Sequence, residues 1–114
     1  MRRLPLAVLL VLAAAASADD QRVDASCNAQ QIATCWDYVG YDPGSLDLSR
    51  KGCAQVQKGG GTWAEHASCP TGKRVGRCTR KMFGATTVMS YYPPMTRQQA
   101  EDTCKSGGMT FTAN

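Results

Sequence analysis

Hydrophobic and polar positions divide the chain into one unbroken apolar run at its start and, beyond it, short patterns separated by glycine and proline. Leu4 to Ala16 is apolar, follows Arg2 and Arg3, and leads into Ala16-Ser17-Ala18, the small-x-small form of a cleavage site. The run is shorter than the ~20 residues a spanning helix needs. Residues 1–18 therefore read as a signal peptide, residues 19–26 as a disordered lead, and no transmembrane segment is expected after cleavage. Further on, Trp36 to Tyr41 is aromatic and β-prone, and Arg80–Phe83 with Thr86–Tyr92 reads as a hairpin joined at Gly84-Ala85. Thr62–Ala64 and Met109–Thr112 read as short closing strands. Thr96 and Gln99 form a capping box with Met95 and Ala100 as its staple, so a helix starts there. Gly107 is expected to supply its left-handed stop. A second, looser helix begins after Pro43 with Ser45 as its cap, its apolar stripe being Leu46, Leu48, Cys53 and Val56.

These elements recur. Tyr41-Asp-Pro43-Gly-Ser45 and Tyr92-Pro-Pro94-Met-Thr96 share an ungapped Tyr-x-Pro-x-Ser/Thr frame that closes on Cys53 and Cys104. Each frame is followed by glycines, a threonine and an aromatic: Thr62-Trp63 and Thr110-Phe111. The expected architecture is α+β: one disulfide-stabilised domain over 27–114, made of two strand-turn-helix-turn-strand units, 27–64 and 69–112. A short antiparallel sheet would carry both helices on one side. In this frame Cys27 matches Cys69, Cys35 matches Cys78, and the hairpin residues are an insertion in the second unit.

Composition narrows the class. All six cysteines (Cys27, Cys35, Cys53, Cys69, Cys78, Cys104) follow the signal, and an even number in a small exported chain implies a disulfide framework. Many pairings are possible. The one that best respects the repeat joins Cys35 to Cys53, Cys78 to Cys104 and Cys27 to Cys69. Loops of about twenty residues closed in this way would each be worth roughly 3 kcal/mol in the chain-entropy model. Without the signal the charge is only mildly positive, and it is uneven: residues 19–63 hold four basic and six acidic groups, residues 64–114 seven and three.

Candidate chemistry is sparse. No nucleophile elbow, phosphate loop or HExxH motif is present, the cysteine spacings do not suit zinc, and no catalytic residue, cofactor or metal ligand is assigned. A small enzyme would have to rest on His66, the single histidine, beside Glu65. Lys73, Arg74, Arg77, Arg80 and Lys81 put five cations into nine residues, suited to an anionic cell-surface polymer. Trp36, Tyr38 and Tyr91 are aromatics without a partner in the repeat, suited to stacking on a glycan or a protein partner. Nucleic acid is not expected, since no recognition motif accompanies the charges.

The block CPTGKRVGRC followed by YYPPMTRQQAEDTCKSGGMTF resembles small cysteine-rich exported bacterial proteins and lipoproteins of unknown function. Cys27 lies behind Asp-Ala-Ser rather than a lipobox, which departs from the lipoprotein members. The resemblance implies an envelope or extracellular location and a disulfide scaffold, without a defined activity. The sequence thus points to a secreted or periplasmic non-catalytic module that binds at, or builds, the cell envelope. The alternatives are a secreted inhibitor or toxin-like effector and a small enzyme using His66.

Overall fold

The computed structural model describes residues 22–113; residues 1–18, read as the signal, lie outside them. Six strands form one antiparallel sheet in the order β3-β1-β2-β5-β4-β6. They are β1 (Ala25–Ala29), β2 (Thr34–Val39), β3 (Thr62–Glu65), β4 (Gly76–Met82), β5 (Ala85–Tyr91) and β6 (Thr110–Ala113). Two helices, α1 (Pro43–Ala54) and α2 (Arg97–Ser106), complete the α+β fold. Each half of the chain runs strand, strand, helix, strand. β2 and β5 meet at the centre with Trp36 opposite Met89 and Tyr38 opposite Thr87.

Sheet register explains the disulfides. Cys27 lies opposite Trp36 on β2 and opposite Trp63 on β3, so these three side chains share one face. Cys78 lies opposite Met89 and Phe111 on that same face in the other half. Both helices pack on this face, α1 against β1 and β3, α2 against β4 and β6. Cys53 of α1 accordingly bonds Cys27, and Cys104 of α2 bonds Cys78, each across 26 residues of sequence. Cys35 precedes Trp36 and so points to the opposite face, where Cys69 meets it. The expected Cys78–Cys104 bridge is present. The expected Cys35–Cys53 and Cys27–Cys69 bridges are not, because Cys35 stands on the face that α1 does not cover.

Several boundaries move for related reasons. β1 begins at Ala25, inside the segment expected to be a disordered lead, and the Asp24 amide already donates to the Tyr38 carbonyl at 2.8 Å. Cys78, not Cys69, occupies in the second half the mid-strand place that Cys27 holds in the first. Cys69 belongs to the connection between β3 and β4. The β4–β5 hairpin is no insertion either, since β1 and β2 form the corresponding hairpin, closed by a 3-10 turn over Gln30–Ile32.

The helix starts differ in chemistry. At α2, Thr96 accepts from the Gln99 amide at 3.1 Å while the Gln99 side chain accepts from the Thr96 amide at 2.9 Å, completing the capping box. At α1 the cap is Asp42 rather than Ser45. Its carboxylate accepts from the Ser45 amide and hydroxyl, each at 2.8 Å, and Pro43 occupies the first turn. Of the stripe expected on α1, only Cys53 is buried within the helix, and Leu48 is 70% exposed. The left-handed residue after α2 is Gly108 (φ 69°), one position past the expected Gly107.

The core is correspondingly unequal. Beneath α2, Cys78, Tyr91, Ala100 and Cys104 form a buried cluster with Val75, Met89, Met95, Met109 and Phe111 packed around it. Beneath α1 the buried positions are small, namely Ala25, Cys27, Ala29 and Cys53. There, Gly61 lies so close to the bridge that a Cβ would fall 2.5 and 2.7 Å from the sulfurs of Cys27 and Cys53.

Candidate functional site

The helices cover the flanks of the sheet and leave part of the central pair β2 and β5 open on the helix face. Trp36, Tyr41, Arg80, Met82, Thr87 and Met89 line the cleft this creates, with a volume of about 260 Å³. Period-two alternation brings Trp36 of β2, Thr87 and Met89 of β5, and Arg80 and Met82 of β4 onto one face. Tyr41 reaches in from the turn before α1, where its hydroxyl hydrogen-bonds that of Thr87. Tyr38 supports Tyr41 edge to face at 5.2 Å and lies 5.5 Å from Trp63 on its other side. Burial first, and the Tyr41 phenol second, push the Tyr38 phenol up to about 12. Tyr38 is thus a supporting ring, neutral at any physiological pH.

The cleft ends at the tip of the β4–β5 hairpin. Met82 pairs with Ala85, leaving Phe83 (φ 51°) and Gly84 (φ 79°) as a two-residue turn with both angles positive. Glycine suits such a position; a phenylalanine there is uncommon. The Arg80 guanidinium lies 3.5 Å from the Met82 sulfur. Phe83 is 99% exposed.

The basic segment does not form one patch. Arg80 faces the cleft, whereas Arg77 and Lys81 project from the opposite face of β4 and Lys73 is exposed in the turn before it. On that opposite face Asp37 is buried beneath the 66–75 connection and accepts from the Cys69 amide at 2.8 Å. Burial raises its pKa above the usual value, against the lowering effects of the Cys69 amide and of Arg74 and Arg77. Arg74 and Arg77 are therefore partly engaged in offsetting a buried carboxylate. The Tyr92 hydroxyl fastens the same connection by donating to the Pro70 carbonyl at 2.6 Å.

Of the expected binding residues, the structure brings Trp36 and Arg80 together and sets Tyr38 behind them. It removes Tyr91, which is 4% exposed in the core under α2. Nor is Tyr91 unmatched: it stands opposite Gly76 as Tyr38 stands opposite Ala25. Sequence reasoning placed Tyr41 in the repeated frame, not among the binding residues, and passed over Met82, Thr87 and Met89. The alternation of β5 against Trp36 was the available signal for the last two. His66 is exposed in a left-handed turn (φ 54°), with its amide donating to the Asp24 carbonyl. Among the described residues no group of three or more His, Cys, Asp and Glu is placed to hold a metal ion.

A wider depression of about 680 Å³ lies between the Gln30–Ala33 turn and α2, but no aromatic or cationic side chain lines it. On chemistry the smaller cleft is the better site. No protein-family model, curated protein or solved structure matches the chain. Three disulfides, with no free cysteine among the described residues, mark a domain stabilised for an oxidising compartment. No helix of the described residues is long and apolar enough to cross a membrane.

Proposed function

We propose that the protein is a secreted or periplasmic, non-catalytic binding module that holds a segment of an anionic cell-envelope polymer, such as an acidic glycan, in the cleft between its helices. The observation that carries this reading is the meeting of Trp36, Tyr41 and Arg80 around one open cleft on a disulfide-pinned sheet. Flat aromatic rings stack on the apolar faces of sugar rings. A guanidinium grips a carboxylate or phosphate with two parallel hydrogen bonds. Residues 1–18, read from the sequence as an export signal around the apolar run Leu4–Ala16, support the same location. The shared order of elements in the two halves fits an internal repeat whose central seam became the binding surface.

The test is retention of the disulfide-bonded protein on purified envelope polysaccharide, with affinities from calorimetry. Trp36→Ala and Arg80→Ala should each weaken binding about tenfold, near 1.4 kcal/mol, while Lys73→Ala on the other side binds as wild type. Equal affinity of all four proteins, or no retention of the wild type, would overturn the assignment.

A further inference from the structure

Folding does not account for Phe83. It is 99% exposed, so it gains nothing from the core, and it occupies a left-handed turn position that a bulky side chain seldom takes. Beside it, Met82 is 45% exposed. Arg80 and Lys81 immediately precede them, both exposed and directed to opposite faces of β4. At ~3.3 Å per strand residue they lie roughly 7–10 Å behind the apex. The hairpin from Gly76 to Tyr91 contains no acidic residue. Asp42, in the turn before α1, is already engaged by Ser45. The tip is also braced, because Gly40 (φ 72°) packs where a Cβ would be 3.2 Å from the Gly84 carbonyl.

We infer that the β4–β5 hairpin docks end-on into an anionic lipid bilayer, Phe83 and Met82 entering the headgroup–acyl boundary while Arg80 and Lys81 meet lipid phosphates. A protein partner approached from one side would use one face of the strand. Cations on both faces around an apolar apex fit instead a surface that surrounds the tip uniformly with negative charge. The spacing from apex to cations matches the roughly 5–10 Å depth to which interfacial elements sink. This contact shares Arg80 and Met82 with the cleft, whereas Phe83 and Lys81 lie outside the cleft lining and are where it is tested.

The experiment is sedimentation of the disulfide-bonded protein with vesicles of phosphatidylcholine alone and with about a third phosphatidylglycerol. The wild type should partition to the anionic vesicles, and increasingly so at low salt. Phe83→Ser should reduce partitioning roughly tenfold, from the lost burial of its ring, and Lys81→Gln about fivefold. Phe83→Trp should retain binding and acquire fluorescence that bromine-labelled acyl chains quench. Both Phe83 variants should still bind polysaccharide through the cleft, so failure of one assignment is distinguishable from failure of the other. Partitioning no better to anionic than to neutral vesicles, wild-type binding by Phe83→Ser, or no quenching in Phe83→Trp would each overturn the proposal.

Discussion

The two halves of the molecule reach the same arrangement of strands and helix by different means. In the second, α2 closes on a cluster that includes Tyr91, Met89, Met95, Met109 and Phe111. In the first, α1 sits over alanines and a disulfide, with Gly61 drawn in against the sulfurs. The aromatic rings of the first half, Tyr38, Tyr41 and Trp63, stand in a row leading toward the cleft. Large apolar side chains fill the core in one half and stand toward the candidate cleft in the other. The covalent bridge therefore carries a larger share of the stability in the first half, which supplies Trp36 and Tyr41 to the cleft.

The largest effect expected comes from removing the bridges. Cys27–Cys53 and Cys78–Cys104 span equal lengths of chain, so the chain-entropy loss is about 3.5 kcal/mol for either. What differs is the packing left behind. Cys27→Ala with Cys53→Ala should lower the guanidinium midpoint more than Cys78→Ala with Cys104→Ala, and hydrogen exchange should show β1, β3 and α1 opening first. The reverse order would show that the core under α2 does not compensate for a lost bridge.

Next in size are two of the glycines that have a close neighbour, one in each half. A methyl at Gly61 meets the two disulfide sulfurs, whereas one at Gly76 meets the Phe111 ring at 2.6 Å. A bridge held at both ends gives way less easily than a ring on an edge strand. Gly61→Ala should therefore cost about 1–3 kcal/mol, in the range of an overpacked core, and Gly76→Ala less, as read from thermal unfolding of both variants. A larger loss for Gly76→Ala would place the rigid wall in the second half instead.

The smallest contrast lies in the helix caps. Thr96→Ala should cost about 1 kcal/mol regardless of pH. Asp42 is ionised in its capping role, and hydrogen bonds from the Ser45 amide and hydroxyl hold its carboxyl below the usual value. Its contribution is therefore complete above the ordinary aspartate range and fades as pH falls through the lowered value. Thermal unfolding between pH 5 and 2 should show this component vanish in Asp42→Asn and persist in Thr96→Ala. Identical acid profiles for wild type and Asp42→Asn would remove Asp42 from that role.

Legibility from sequence follows the same division. Where local chemistry decides, as with the Thr96–Gln99 box, the residues sufficed, and the fold class could be read as well. β1 was hidden because Ala25-Ser-Cys-Asn-Ala29 has neither alternation of strong contrast nor β-prone side chains. It is a strand because neighbours pair with it on both edges and a helix lies close above, both of which are tertiary facts. Missing β1 hid the face of Cys27, and with it two of the three bridges. Trp36 and Arg80 were legible as candidates singly, while their meeting in a cleft required the β2–β5 seam. Tyr91 was misread because its burial depends on α2 lying overhead.

The pattern of bridges also decides which breaks in the backbone the molecule survives. The loops Cys27–Cys53 and Cys35–Cys69 overlap in sequence, and Cys78–Cys104 stands apart. A single peptide cut anywhere between Cys27 and Cys69, or between Cys78 and Cys104, leaves one covalent molecule, the Phe83 tip included. Between the first and last cysteines, only from Pro70 to Arg77 does no bridge span the cut, and that stretch carries Lys73, Arg74 and Arg77, the residue types favoured by trypsin-like proteases. Clipped there, the chain becomes two cross-linked pieces joined by the β2–β5 ladder, so the seam that forms the floor of the cleft would also hold a nicked protein together.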